Sequence, residues 1–290
     1  MLIEISSLLK SNNFNVIGIG VTFSPNLKAN ICESSRLALI FEAKLVLIHI
    51  GESSREKVSK FQGLLEPFIS DGLDYEIVFR QGDPVETIIA VSEELGVDLL
   101  ILGALKKENI LKYYIGSIAR KITRQANCSI LLLINPSEER VPCQHIVVNG
   151  LEDPKTKQTI TTAFRVASKL GANKVTIVEE INQQEVAVAI EDDESLRRAN
   201  IRKERLMTRE DARVQKMLTD IPEFDEEKIS INLQPIFGKS GYSIGHYAQI
   251  SRADLLIMNA PDKVTFWDRL FPHDIEHILT ELPTDVLIVR

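Results

Sequence analysis

The 290-residue sequence has little cysteine, one tryptophan, no basic surplus and no long apolar run, and each shortage excludes a class of protein. Its 3 cysteines, Cys32, Cys128 and Cys143, are odd in number, scattered and free of CxxC spacing. That pattern argues against a disulfide framework or a cysteine zinc site and fits a reducing cytoplasm. Lys and Arg number 34 against 41 Asp and Glu, a formal charge of −7 at pH 7. A general nucleic-acid binder needs a basic face for phosphates, so that class is set aside. No apolar run approaches the roughly 18 residues of a membrane span, so no membrane insertion is expected. The opening stretch, Met1 to Asn13, carries Glu4 and lacks a basic n-region and a small-residue cleavage site, unlike a signal peptide. The hydrophobic share of 44% and charged share of 26% are those of an ordinary core-forming chain. The expectation is an acidic, cytoplasmic α/β protein, with a length that favours two domains.

What the sequence does contain is itself, twice. Asp98-Leu-Leu-Ile-Leu-Gly-Ala104 returns as Asp254-Leu-Leu-Ile-Met-Asn-Ala260, an offset of 156. The same offset carries Gly82 onto Gly238, and Ile130–Leu133 onto Val286–Val289. Nearer the start, Gly20 aligns with Gly150 and Lys44–His49 with Lys174–Glu179, an offset of 130. The second copy therefore carries 26 additional residues between its second and third strands. A register held to the end of both copies speaks for duplication.

Within copy one, Val16–Val21, Leu45–Ile50, Tyr75–Phe79, Leu99–Leu102 and Ile130–Ile134 read as apolar, β-branched strands. Helical spacing fills Ser34–Ala43, Glu56–Ile69, Val85–Leu95 and Ser117–Gln125 between them. Alternating strands and helices imply βαβ units, and near-continuous apolar strands imply a parallel sheet covered on both faces. Copy two repeats the order with His145–Val148, Val175–Val178, Ile229–Ile236, Leu255–Met258 and Val286–Val289. The stretch Ile134–Gln144, with Pro136 and Pro142, reads as a linker, giving domains at 1–138 and 143–290. The expected fold is two doubly wound, flavodoxin-like, three-layer α/β/α domains in tandem. The last strand, close to the terminus at Arg290, reads as a sheet edge. Its simplest partner is Ser129–Leu133 of the other copy, which would make the chain an internal pseudo-dimer and leave a homodimer open.

Ligands of open α/β sheets bind beyond the carboxyl ends of the strands, near the switch in strand order. Three places qualify: the turn Gly20–Pro25, the end of strand two at His49-Ile50-Gly51, and the segment from Gly103 to Lys106 followed by Gly116-Ser117. Gly103 lets backbone approach a ligand. Gly116-Ser117 opens a helix, where free N–H groups and the dipole attract anions. The plainer reading is that Ser117 is an N-cap and Gly103 a turn.

The pattern Gly103-x2-Lys106-x9-Gly116-Ser117, then Ile118–Ile122 and Cys128–Leu132, resembles the signature of the universal stress protein family. There it runs Gly-x2-Gly-x9-Gly-Ser/Thr, a helix and a final strand. Gly82-Asp83-Pro84 and Thr22-Phe23-Ser24 are similar to the family as well. The resemblance covers both copies and implies a tandem member, in a family divided between ATP binders and non-binders. By that resemblance copy one would take ATP with Mg²⁺, or no cofactor. Gly103, Gly116, Ser117 and Ile118 would serve the phosphates, while Thr22 and Ile50 would border the base. Thr22 stands where nucleotide-binding relatives carry an acid against adenine. Lys106 replaces the second signature glycine. If that position needs φ > 0, lysine costs on the order of 1 kcal/mol; alternatively its ammonium meets a phosphate.

In copy two the matching positions are Asn259, Asp262, Pro272 and His273. An aspartate repels phosphate and proline removes a donor, so no such nucleotide site is expected there. Glu152 falls over Thr22 by the offset of 130. Gly238-Lys239-Ser240 is no P-loop, because Leu233 stands where its first glycine belongs. His273 and His277, one turn apart, lack a third ligand and read as a helix start rather than a metal site. No catalytic acid–base pair or nucleophile set can be assembled, so the expected role is regulatory and non-catalytic. The enlargement falls in 191–228, with 12 acidic and 9 basic residues in 38 positions. Leu206, Met207, Val214, Leu218 and Ile221 recur there at helical spacing, predicting a longer amphipathic helix than copy one has. It either packs on its own domain or reaches an unidentified protein partner. The second functional reading is accordingly a nucleotide-free stress-response interaction protein, acting through a dimer surface and this helix.

Overall fold

The computed structural model describes residues 14–103, 105–106, 113–114, 116–134, 136–185, 192–221, 229–238, 242–260 and 282–290. By its contacts the chain divides into two units, Met1–Val141 with Asp285–Arg290, and Pro142–Thr284. The dividing point lies in the expected linker. The terminal strand, however, counts with the first unit and not with the copy whose sequence it completes.

In the first unit β1 (Val16–Gly20), α1 (Leu27–Phe41), β2 (Lys44–Ile50), α2 (Arg55–Ile69), β3 (Tyr75–Arg80), α3 (Pro84–Glu94) and β4 (Leu99–Gly103) follow one another. A two-stranded ribbon, β5 (Leu105–Lys106) and β6 (Tyr113–Tyr114), then leads to α4 (Ser117–Gln125) and β7 (Ser129–Leu133). The parallel strands stand in the order β3-β2-β1-β4-β7, so succession reverses at β1. Right-handed crossovers place α1 and α2 on one face and α3 and α4 on the other. Accordingly α1 packs on α2, and α3 on α4. Leu45 to Ile48 of β2 and Leu100 and Ile101 of β4 are fully buried, as a sheet covered on both faces requires.

One helix is longer than its spacing predicts. α1 starts at Leu27 rather than Ser34, because Ser34 turns inward and donates to Asn30 O (2.9 Å) and Ile31 O (3.1 Å). A hydroxyl bonded to its own preceding turn can sit inside a helix. Elsewhere the start signals act as expected. Ser54 accepts from Lys57 N to cap α2, and Asp83 accepts from Val85 N and Glu86 N ahead of Pro84 to cap α3.

The second unit comprises β8 (His145–Asn149), α5 (Thr156–Leu170), β9 (Lys174–Asn182), α6 (Asp193–Thr219), β10 (Ser230–Gly238), α7 (Tyr242–Ile250) and β11 (Leu255–Asn259). Its parallel order, β10-β9-β8-β11, matches β3-β2-β1-β4. The last strand, β12 (Asp285–Val289), runs antiparallel to β7 with Leu287 opposite Leu131, the partner expected for it. No helix among the described residues is long and apolar enough to cross a membrane.

An aspartate anchors the first strand of each unit. Asp98 accepts from Asn15 N (2.8 Å) and Val16 N (3.3 Å), and Asp254 from Gln144 N (2.8 Å) and His145 N (2.9 Å). Burial pushes the Asp98 carboxyl up, against the lowering effect of these bonds. Asp98→Ala leaves two N–H groups without their acceptor and is expected to cost about 1–3 kcal/mol in urea unfolding. A midpoint equal to the parent's would remove this anchor from the account.

The anchors also correct the alignment. Val21 N donates to Ile48 O and Gly150 N to Val178 O, so Gly150 matches Val21, not Gly20. Strand one is offset by 129, Asn149 stands in Gly20's place, and Leu151, not Glu152, in Thr22's. Matching glycines suggested the other pairing, but the hydrogen-bond ladder sets the register.

Candidate functional site at the switch point

Gly20 pairs with Ile48, which carries Thr22 to the level of Ile50, and Ile19 pairs with Ile101, which carries Val21 to the level of Gly103. Three expected site residues therefore meet at one carboxyl edge, where strand order reverses between β1 and β4. Thr22 is exposed, and Ile50 and Gly103 are half-buried. The ribbon joins Leu105 to Tyr114 and Lys106 to Tyr113, so Gly103 and Gly116 each lie two residues from its Leu105–Tyr114 rung. The strand after the switch point and the start of α4 are thus folded back toward each other. Lys106 has the extended backbone of β5, so the strain considered for a left-handed conformation does not arise.

Gly116 takes φ −60 and ψ 160 as the N-cap of α4, with no side chain capping the helix. The first-turn N–H groups are thereby left for solvent or a ligand, while Ser117 and Ile118 are exposed. α2 and α3 differ, since Ser54 and Asp83 occupy theirs.

Two features escape the sequence reading. Asn30 of α1 lies beneath Gly103, where a Cβ would come 3.4 Å from both its carboxamide atoms, and its Oδ1 is buried without a partner. The spacing places Asn30 ahead of the helix expected at Ser34–Ala43, so nothing in the sequence marks it. The second is an aromatic cluster. Phe23 stacks on Phe61 with centroids 5.1 Å apart, and the His49 ring meets Phe23, Phe61 and Phe79 edge-on at 5.2, 5.7 and 5.4 Å. His49 Nδ1 lies 3.0 Å from Val21 O, so that nitrogen carries the hydrogen and donates. Phe23 remains 42% exposed, with Lys60 Nζ 5.0 Å over its ring. A cation beside an open aromatic face lies next to Thr22.

The second unit fills the equivalent place from its own chain. Arg213 of α6 donates to Gly150 O and, at 3.3 Å, to Leu151 O, while its Nε donates to Glu210 at 2.8 Å. Gly150 O corresponds to Val21 O, so the carbonyl held by histidine in one copy is held by arginine in the other. Asn259, in Gly103's place, donates from Nδ2 to Thr156 Oγ1 at 3.1 Å. The enlarged helix has 27 residues against 15 in α2. It buries Val214, with Leu206, Met207 and Leu218 half-buried, and Ile221 is buried just beyond its end. Its apolar stripe meets its own domain. Asp262, Pro272, His273 and His277 lie outside the described residues, as do Lys239 and Ser240.

With this geometry in hand, residues 51–133 match the model of the universal stress protein family. The matched stretch contains Gly103, Lys106, Gly116, Ser117 and Ile118, and stops short of Thr22 and Ile50. A universal stress protein of Methanothermobacter thermautotrophicus is 34% identical over 61 residues, 21% of this chain, and the chain spans only 41% of that relative. Among solved structures, a functionally unknown protein of Pseudomonas aeruginosa superposes with TM-score 0.68 at 16% identity, covering 95% of this chain and 92% of that one. A universal stress protein of Archaeoglobus fulgidus gives 0.66 at 13% identity, covering 96% and 98%. Identities this low speak to the fold, and both structures share it across both units.

Proposed function

We propose that the first unit is a non-catalytic, regulatory nucleotide-binding module that takes an adenine nucleotide, ATP with Mg²⁺, at the β1/β4 switch point. The uncapped start of α4 at Gly116 carries this reading: a helix terminus with free donors, folded back toward the glycine that ends β4. The N–H groups from Gly116 to Ile118 and the Ser117 hydroxyl would hold phosphate oxygens. Gly103 would admit the phosphate chain, Lys106 would add a point charge, and Thr22 and Ile50 would border the base. Bound nucleotide would supply a regulatory signal, with Mg²⁺ arriving on the phosphates. A cytoplasmic location belongs to the same proposal.

ATP with Mg²⁺ is expected to raise the melting temperature of the purified protein. A ligand at a hundred times its dissociation constant adds about 2.7 kcal/mol. Gly116→Arg, which blocks the helix start, should abolish the shift while preserving the circular dichroism spectrum. No shift at millimolar nucleotide would overturn the proposal. That outcome would favour the nucleotide-free interaction reading, which is supported by the Asn30 carboxamide beneath Gly103 and by Leu196 and Ile201 exposed on α6.

A further inference from the structure

The second unit holds a buried acid pair for which the nucleotide reading has no use. Glu179 of β9 is 1% exposed, and neither of its carboxyl oxygens meets a hydrogen-bond donor. Asp211 of α6 faces it, and Asp211 Oδ1 is unpartnered too. Glu179 is shielded from water and so is the Asp211 oxygen that faces it, and with no donor supplied between them a charge on both is strongly disfavoured. One proton between them gives Asp211 Oδ1 and one of the two Glu179 oxygens a partner.

Among the described residues the cation that acts on Glu179, Arg213, is committed elsewhere. On α6, Arg213 is engaged with Glu210 and the carbonyls of Gly150 and Leu151, and Glu210 also accepts from Arg209. Glu180, next along β9, points to the other face and accepts from Ile244 N of α7. β10, whose Pro235 stands opposite Glu179, carries no charged residue between Ser230 and Gly238. From the β8 side Gly150 approaches, leaving 3.4 Å between a Cβ built on it and Glu179 Cγ.

We propose that α6 is latched over the first-strand turn of the second unit by a proton shared between Glu179 and Asp211, and that loss of this proton releases it. The Arg213 contacts aim the helix at the turn, and the shared proton lets the acid pair close beneath it. Burial first, then Asp211, lifts Glu179 to about 8 from its ordinary value of 4.5. When α6 lifts, Glu179 meets water, returns toward that ordinary value and gives up its proton at any pH above it. Opening thus releases a proton, and its equilibrium constant grows by up to tenfold per pH unit between about 4.5 and about 8. Above that window the closed form ionises as well and the dependence flattens. The first unit contains its own control. His49 is the counterpart of Glu179, and α2 rests on it through the Phe61 ring.

Hydrogen exchange of the nucleotide-free protein, read by mass spectrometry from pH 5.5 to 8 and corrected for intrinsic exchange rates, tests the latch (roughly the window set by the linkage relation). Opening of α6 should rise by as much as about tenfold per pH unit, while α2 stays flat. Glu179→Gln, neutral at every pH, should flatten the α6 profile. Asp211→Asn should make the slope shallower, because its amide donates to the Glu179 carboxylate while burial, the larger cause, remains. Should Glu179→Gln fail to fold, Asp211→Asn carries the test. An α6 slope as steep as the parent's in the folded variant, or an equal slope in α2, would overturn the latch.

Discussion

Ending the chain at Thr284 is expected to unfold or precipitate the first unit. The deleted strand β12 supplies Val286, Leu287, Ile288 and Val289, none more than 4% exposed. At about 1.5–3 kcal/mol for each buried aliphatic side chain, the loss is about 6–12 kcal/mol as an upper bound. Whole domains have roughly 5–15 kcal/mol of stability, so little would remain. Further losses are specific. Ile134 N loses its acceptor Asp285 Oδ1 (2.8 Å), and the carbonyl of Thr123 loses the guanidinium of Arg290 (3.1 Å). β7, whose Ile130–Leu132 pair with β12, becomes a bare apolar edge of the kind that aggregates. Solubility and the circular dichroism melt read the outcome, with Asp285→Ala as the mild comparison at about 1–3 kcal/mol. A soluble truncated chain that melts with the parent would show that the first unit does not depend on the strand.

That dependence also shows how far the sequence could be read. Strand and helix order, the doubly wound architecture, the duplication and the β7–β12 pairing follow from patterns of two and 3.6 residues and from matched runs. Periodicity cannot say which unit a strand reinforces, because Asp285–Val289 is apolar in either setting. The one-residue slip at Gly150 has a similar origin, since glycine identity carries less information than the ladder Gly150 N to Val178 O. At the candidate site Thr22, Ile50 and Gly103 were legible because strand ends sit at the switch point by topology. Asn30 and the Phe23–His49–Phe61–Phe79 cluster were not legible. Their significance depends on which side chains two helices and three strand ends bring together, and each residue alone suits an ordinary core. The same holds for Glu179, Asp211 and Arg213, which stand among so many charges in 191–228 that spacing singles out none of them.

Phe61→Ala is the second substitution with a large expected effect, because it removes the centre of that cluster. The ring is fully buried and lies between Phe23, His49 and Phe79, with centroids at 5.1, 5.7 and 6.0 Å. Removing a buried phenyl ring costs about 3–5 kcal/mol through lost transfer energy and the cavity left behind. Phe23→Ala should cost about 1 kcal/mol, since that ring is already 42% exposed. The two should not add. Once Phe61 is gone Phe23 has no ring to stack on, so the double variant should fall short of the sum by about 0.5–1.5 kcal/mol. The consequence reaches the switch point through His49, whose N–H holds the Val21 carbonyl one residue before Thr22. With one wall of the imidazole removed, the turn that would border the base is less well fixed. The nucleotide-induced melting shift should therefore shrink in Phe61→Ala although α4 is untouched. Urea midpoints for the two single variants and the double variant decide the matter, and a Phe61→Ala midpoint equal to the parent's would contradict the packing described.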